Sequence, residues 1–319
     1  MQRLFYSCQT ITNLDLRFFN TENVVNMYSM FCECKNLKYL DVTSFRTSKV
    51  ENMAIMFNGC NELTSLDLTN FDVSEITHIS MMFTSCNKLT SLNLSSFVTR
   101  KAESMRLMFS GCHNLKYLDI SNFDTSKVTS LERFLSDCYL LTSINLSSFN
   151  TKNVQKMNYL FSNDYSLTSL DLSNFDISKV IDMDSMFYNC SSIKILNLSH
   201  FVGKEVTNWQ SVVSKCFKLE YLNFDNFEGK ITTMYGAFSD CYSLTSIKLP
   251  KLKTEKIQRI NYAFSNCYSL KSMDLSMGTF NLVDKSMYLF SNCYSLTSVN
   301  LSNFNTSNYA NMNYMFANC

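Results

Sequence analysis

The sequence predicts an α/β repeat, a solenoid with short parallel strands on one face and short helical turns or coil on the other. Three observations carry that expectation: a ruler of cysteines, leucines at period two beside each cysteine, and very little glycine or proline. Cys8, Cys34, Cys60, Cys86, Cys112 and Cys138 are each 26 residues apart. Asp164 holds the next slot, and Cys190, Cys216, Cys241, Cys267, Cys293 and Cys319 resume the series with one 25-residue step. Only Cys32 lies off the ruler. A fixed period of this length marks stacked units, each burying its core against its neighbours. The 319 residues are therefore expected to form one array, 1–319, of about twelve units rather than two globular domains. The chain opens and stops inside a repeat, and neither end offers a polar cap. It reads as a piece of a longer protein.

The strand comes first in each unit. Aligned on its cysteine, a unit runs Met-Phe-x-x-Cys-x-x-Leu-x-x-Leu-Asp/Asn-Leu-Ser-x-Phe-x-Thr-x-x-Val-x-x-Met. In the copy from Met82 to Met105, Leu92 and Leu94 are two apart and so face one side of a short strand, while Asn93 faces the other. The inward slot recurs as Leu16, Val42, Leu68, Leu94, Ile120 and onward to Leu301, and the phenylalanine after it as Phe19, Phe45, Phe71 and onward to Phe304. These are the candidate core ladders.

The return segment has a different rhythm. Val128, Leu131 and Leu135, like Val154, Met157 and Phe161, follow helix-like 3–4 spacing over a short stretch, which predicts one or two helical turns, 3₁₀ included. With six glycines and the single Pro250, the corners must be made by Asn, Asp, Ser and Thr side chains bonding nearby backbone.

Leu63-x-x-Leu66-x-Leu68-x-x-Phe71 resembles a leucine-rich repeat with Phe in the usual Asn slot. The added Met-Phe-x-x-Cys and Phe-Asp-Thr-Ser-Lys-Val pieces are similar to the BspA-like surface-protein repeats of bacteria and protists. The resemblance runs the length of the chain. It implies a leucine-rich-repeat solenoid and a cell-surface adhesion or antigen role, and it carries no catalytic residues.

Candidate chemistry lies in the slots. The cysteine ladder suggests a disulfide or metal spine, but equivalent side chains on stacked turns point in parallel, and single cysteines 26 apart lack the paired spacing of zinc sites. Buried free thiols packed as small apolar groups are the expectation, with Cys32 the accessible one. Asp164 should bring water or a polar partner into its turn. The strand's outward slot holds Asp15, Asp41, Asp67, Asn93, Asp119, Asn145, Asp171, Asn197, Asn223, Lys248, Asp274 and Asn300. One oxygen-bearing residue per turn is a thin shell for calcium, so a solvated polar face or a partner contact is expected. The adjoining outward slot is largely serine, with Tyr39, Tyr117, Ile195 and Tyr221 standing out as candidate partner anchors.

Two further tyrosine sets, Tyr242, Tyr268 and Tyr294, and Tyr262, Tyr288 and Tyr314, should form stripes off the strand face that either bind a partner or stack between turns. Units from about residue 200 to 285 depart from the pattern: Gly203 and Gly229 replace threonine, Trp209 replaces a buried methionine, Pro250 follows a strand, and Ser276-Met277-Gly278-Thr279 displaces the phenylalanine. These read either as a specialised site or as irregularity that a solenoid tolerates. Asn-x-Ser/Thr sequons at Asn93, Asn145, Asn189, Asn197, Asn300 and Asn305 matter only in a eukaryotic secretory pathway.

His78, His113 and His200 occupy different repeat positions with no nucleophile at a matching spacing, and no phosphate loop, Gly-x-Ser-x-Gly or metalloprotease motif occurs. No catalytic residue, cofactor or metal is therefore assigned. A net charge of +1 gives no broad attraction to nucleic acid, and no apolar run approaches the ~20 residues of a membrane span. The expected function is non-catalytic recognition of a protein or glycoprotein through the repeat surface, with Tyr39, Tyr117, Ile195 and Tyr221 and the carboxylates Asp15, Asp41, Asp67, Asp119 and Asp171 as contacts. Cell-surface or secreted location follows from the resemblance. An intracellular scaffold in the cytoplasm, with its thiols reduced, and an end-to-end self-associating array are the alternatives.

Overall fold

The structure, a computed structural model, describes residues 1–247, 249, 255–276, 278, 280–283, 285–308 and 311–319. Lys248, Pro250, Met277 and Thr279 lie outside the described residues. The chain forms two compact units, Met1–Asn153 with Asp164–Ser166, and Val154–Asn163 with Leu167–Cys319. Each is a parallel coil of stacked turns with almost no helix.

In the first unit, β1 (Asn13–Asp15) pairs with β2 (Tyr39–Asp41) and β3 (Ser91–Asn93) with β4 (Tyr117–Asp119). In the second, β5 (Ile195–Asn197) pairs with β6 (Tyr221–Asn223) and β7 (Ser272–Asp274) with β8 (Ser298–Asn300). All four pairs are parallel with like slots side by side, as in Leu92 beside Leu118. Three-residue strands follow from the sequence: only the middle residue is inward, and Leu92 is buried while Ser91 and Asn93 are exposed. The predicted alternation holds.

The return side is coil, built from successive turns rather than from helix. Along residues 29–34 the N–H groups of Ser29, Phe31 and Glu33 donate to Ala54, Met56 and Asn58 of the next turn. Those of Met30, Cys32 and Cys34 fold back to Met27, Ser29 and Phe31. An α-helix would use every N–H on its own i−4 carbonyl; here alternate donors stitch turn to turn. The 3–4 apolar spacing that suggested helix is the i→i−3 rhythm of these turns, whose inward residues Val128 and Leu131 are fully buried. The reversal needs two left-handed residues per turn, Ser29 at φ 54° and Glu33 at 63°, then Ile55 and Gly59, Met81 and Ser85. Such conformations cost most side chains about 1–2 kcal/mol each, which the inter-turn bonds offset.

The core is a set of columns. Phe5, Phe31, Phe57, Phe83 and Phe109 stack face to face at 5.4–5.6 Å in the first unit, and Phe238, Phe264, Phe290 and Phe316 do so at 5.2–5.4 Å in the second. Beside them buried threonines tie the turns together. Thr47 Oγ1 donates to the Asp72 carbonyl at 2.9 Å and accepts the Asp72 N–H at 2.7 Å. Thr125 does the same with Asn150.

Candidate recognition surface on the strand face

Each strand ends in a side chain that shapes the corner after it. Asp41 Oδ1 accepts the Thr43 N–H at 3.0 Å and the Thr43 hydroxyl at 2.6 Å. Asp67 accepts from Thr69, Asp119 from Ser121 and Asp171 from Ser173 in the same way. Asn93, Asn145, Asn197 and Asn223 use their amide oxygen identically. The outward Asp/Asn slot is thus an Asx-turn slot, which explains why Asp and Asn alternate freely there: both present Oδ1 to the i+2 amide. These bonds hold the carboxyls of Asp41, Asp67, Asp119, Asp171 and Asp274 below the usual carboxylate range. Asp15 is lowered first by its side-chain bond to Arg17, whose Nη2 lies 2.6 Å from Oδ2. Arg17 Nε is also 4.0 Å from Asp41 Oδ2, so a guanidinium sits where the sequence suggested a cation between neighbouring carboxylates. Among the described residues no group of His, Cys, Asp or Glu has the arrangement of a metal site.

The adjoining slot carries the large side chains. Tyr39 and Tyr117 are 56% and 57% exposed on the first unit, Ile195 and Tyr221 are 61% and 49% exposed on the second. Ile195 and Tyr221 are direct ladder neighbours, whereas Tyr39 stands beside Asn13 and Tyr117 beside Ser91. The first unit thus carries two separate protrusions and the second an adjacent pair.

The tyrosines off the strand face stack on one another. Tyr242 meets Tyr268 at 4.5 Å and Tyr268 meets Tyr294 at 5.0 Å. Tyr262 meets Tyr288 at 5.0 Å and Tyr288 meets Tyr314 at 4.9 Å. Their faces are used within the coil. In the first unit His113, Tyr139 and Tyr165 form a like stack, so His113 is a stacking residue. His78 Nδ1 is 2.7 Å from Thr77 Oγ1, and His200 Nε2 is 2.7 Å from the Leu172 carbonyl.

The cysteines are free, and the ladder members from Cys34 to Cys293 are buried in a more specific way than as small apolar groups. Cys60 Sγ donates to the Phe31 carbonyl, Cys86 to Phe57, Cys112 to Phe83 and Cys138 to Phe109, at 3.2–3.3 Å. In the second unit Cys190, Cys216 and Cys267 repeat this at 3.0–3.2 Å. Burial pushes the thiols up, to about 12 for Cys112 and Cys216. The expected accessibility of Cys32 is not found: it is 5% exposed, with its Sγ 3.8 Å from Asn58 Oδ1. The off-ruler position is an inward slot of the return turn, between Phe31 and Cys34. Cys319 is the exposed thiol and Cys8 is half-buried. Asp164 is fully buried, and the polar partner expected of it is a backbone amide: the Cys138 N–H donates to Oδ1 at 2.9 Å. Its Oδ2 has no partner, and burial pushes its carboxyl well above the usual range.

The departures at Gly203, Trp209 and Gly229 are a packing adjustment. Trp209 is fully buried, with Phe227 at 4.5 Å and Phe224 at 4.8 Å. That draws the Phe227 ring over the threonine slots: a Cβ on Gly203 would lie 2.5 Å from Phe227 Cε2, and one on Gly229 2.3 Å from Cε1. Gly203 also takes φ +52°. The two glycines and the tryptophan are one coupled substitution, which the sequence displayed only as three separate departures.

Among the described residues no helix is long and apolar enough to cross a membrane. A search of curated proteins gave no match. Among solved structures, the chain is similar to a leucine-rich repeat protein from Bacteroides ovatus, at 19% identity over 96% of this chain and 76% of that one, with a TM-score of 0.49. It is similar to a leucine-rich cell surface protein from Faecalibacterium prausnitzii at 21% identity, over 90% and 78%, with a TM-score of 0.49. A leucine-rich repeat protein from Eubacterium ventriosum matches at 15% identity, over 97% and 78%, with a TM-score of 0.38. A family model matches residues 1–117, 103–227 and 221–319, and the chain belongs to the family described as Mycoplasma protein of unknown function, DUF285.

Proposed function

We propose that this chain is a non-catalytic recognition protein of the cell surface, binding a protein or glycoprotein through the strand face of its coil. The observation that carries the reading is the exposure of Tyr39, Tyr117, Ile195 and Tyr221 in a slot otherwise filled by small polar residues. Large amphipathic side chains on a rigid, hydrogen-bonded ladder lose little entropy on contact and are the residues that anchor interfaces. The flanking Asp41 and Asp67 engage Oδ1 in their Asx turns, and the exposed Asp and Asn side chains of this slot make a polar rim of the kind that surrounds such anchors. Surface location is supported by the resemblance to BspA-like repeats. Every large column of the coil is committed to packing, so specificity falls to the residues that interrupt the repeat.

The test is a variant with Tyr39, Tyr117, Ile195 and Tyr221 all replaced by serine, the residue common in that slot. Far-UV circular dichroism and thermal unfolding should match those of the parent, because these side chains stand outside the core. Binding to a panel of purified extracellular glycoproteins, read by biolayer interferometry, should fall at least tenfold, about 1.4 kcal/mol. Unchanged affinity in a folded variant would remove the strand face from the reading.

A further inference from the structure

What the strand-face tyrosines meet is narrowed by how their rings differ from the others. The rings of the off-face stripes lie flat on each other at 4.5–5.0 Å. Tyr117 and Tyr221 stack on no ring among the described residues, and the next turn offers each only a serine, Ser143 and Ser246, in the equivalent slot. One face of each ring is therefore bordered by a hollow. Beside Tyr117 it measures about 320 Å³ and is lined by Lys116, Asp119, Ser121, Ser143 and Asn145. Beside Tyr221 it measures about 90 Å³, with Asn223, Asp225 and Ser246.

Both ring hydroxyls face a polar side chain of their own strand. Tyr117 Oη donates to Asp119 Oδ2 at 3.5 Å, and Asn223 Nδ2 donates to Tyr221 Oη at 3.1 Å, in each case two residues along the same strand. The larger hollow has the volume of the smallest ligand sites, ~300 Å³. It offers one flat apolar ring face edged by carboxylate, amide, hydroxyl and ammonium groups. Lys116 and Asp119 balance in charge, so the hollow selects for neither an anion nor a cation.

That combination suits a neutral pyranose, which has an apolar C–H face and a rim of hydroxyls that both donate and accept. It suits a protein partner less well in the first unit, because Tyr39 and Tyr117 stand three turns apart, about 14 Å, with serine at the slots between them. A protein interface concentrates its anchors near one centre. We propose that Tyr117 is the floor of a subsite for a neutral monosaccharide unit of a glycan. The proposal rests on the strand-face reading above and names the chemistry of its ligand.

The test labels the whole chain with 3-fluorotyrosine and follows its ¹⁹F spectrum. Resonances are assigned with Tyr117→Phe and Tyr221→Phe, and the probes are the methyl β-glycosides of glucose, galactose and N-acetylglucosamine. The expected result is a saturable shift of Tyr117 by at least one sugar in the millimolar range, with Tyr268 and Tyr288 unmoved. No saturable shift with any sugar, or shifts of all tyrosines in linear proportion to sugar, would overturn the proposal. A panel glycoprotein that moves Tyr117 equally before and after enzymatic deglycosylation would also overturn it, while leaving strand-face recognition standing. A saturable sugar shift together with unchanged glycoprotein affinity of the fourfold serine variant would support the subsite and remove the partner reading.

Discussion

Asp164→Cys is a substitution whose consequence can be worked out from a single buried oxygen. Asp164 occupies the cysteine column, is fully buried, receives one hydrogen bond from the Cys138 N–H and leaves Oδ2 unpartnered. A buried polar atom without a partner costs about 1–3 kcal/mol. Burial raises the carboxyl well above its usual range, with the charge of Asp137 acting in the same direction. Below about pH 4 the carboxyl is protonated in both folded and unfolded chains and pH has no effect through this group. Above that, the unfolded chain releases its proton while the folded chain keeps it. Stability is then lost by about 1.4 kcal/mol for each pH unit until the folded pKa is reached.

A cysteine at 164 restores the side chain of the other ladder slots, whose thiols donate to the carbonyl 29 residues earlier, as Cys138 does to Phe109. Here that carbonyl belongs to Leu135. The variant should be more stable than the parent by about 1–3 kcal/mol near pH 4, and the gap should widen towards pH 7. The assay is urea unfolding under reducing conditions by far-UV circular dichroism, with amide exchange at Cys138 as the local reading, because stability in a stacked coil is carried by neighbouring turns. A gap that stays constant with pH, or a less stable variant at pH 7, would refute the burial argument.

Three further outcomes follow from the same geometry. Alkylation of the native chain near neutral pH should label Cys319 and, more slowly, Cys8, with Cys32 and the ladder thiols reacting only in denaturant; mass mapping that finds Cys32 labelled would contradict its inward placement. Gly229→Thr should destabilise the second unit by about 1–3 kcal/mol through collision with Phe227, and Trp209→Met should recover part of that loss, so the pair measured by guanidinium unfolding should be non-additive. Asp67→Ala should lose at most about 1 kcal/mol, solvent screening included, while Asp67→Asn keeps the turn. Since the bonds from Thr69 lower the Asp67 pKa, its contribution is present above about pH 4 and disappears as pH falls through the folded value, which the parent should show and Asp67→Asn should not.

The columns of the core were legible because they repeat: one leucine at period two says little, but Leu16 through Leu301 in a single slot fixes a face. Exposure of Tyr39, Tyr117, Ile195 and Tyr221 followed from the same alternation. The return segment was expected as short helical turns or coil, and the sequence left the two open because Val128, Leu131 and Leu135 have spacing that helix and successive i→i−3 turns share. The left-handed residues, which would have separated the two, are Ser, Met, Leu and Tyr as often as Gly or Asn. The Asx role of Asp41 or Asn93 was hidden behind the idea of a binding stripe, although the free interchange of Asp and Asn was its signature. The coupling of Trp209 to Gly203 and Gly229 could not be read at all, since it passes through the displaced ring of Phe227, itself an ordinary ladder residue.

Protease treatment of intact source cells, followed by mass spectrometry for peptides of this chain and for a cytosolic control protein, tests cell-surface recognition most directly. The expected result is release of these peptides while the control stays protected. Protection of both until the cells are lysed would contradict a surface role and turn the search to cytosolic partners.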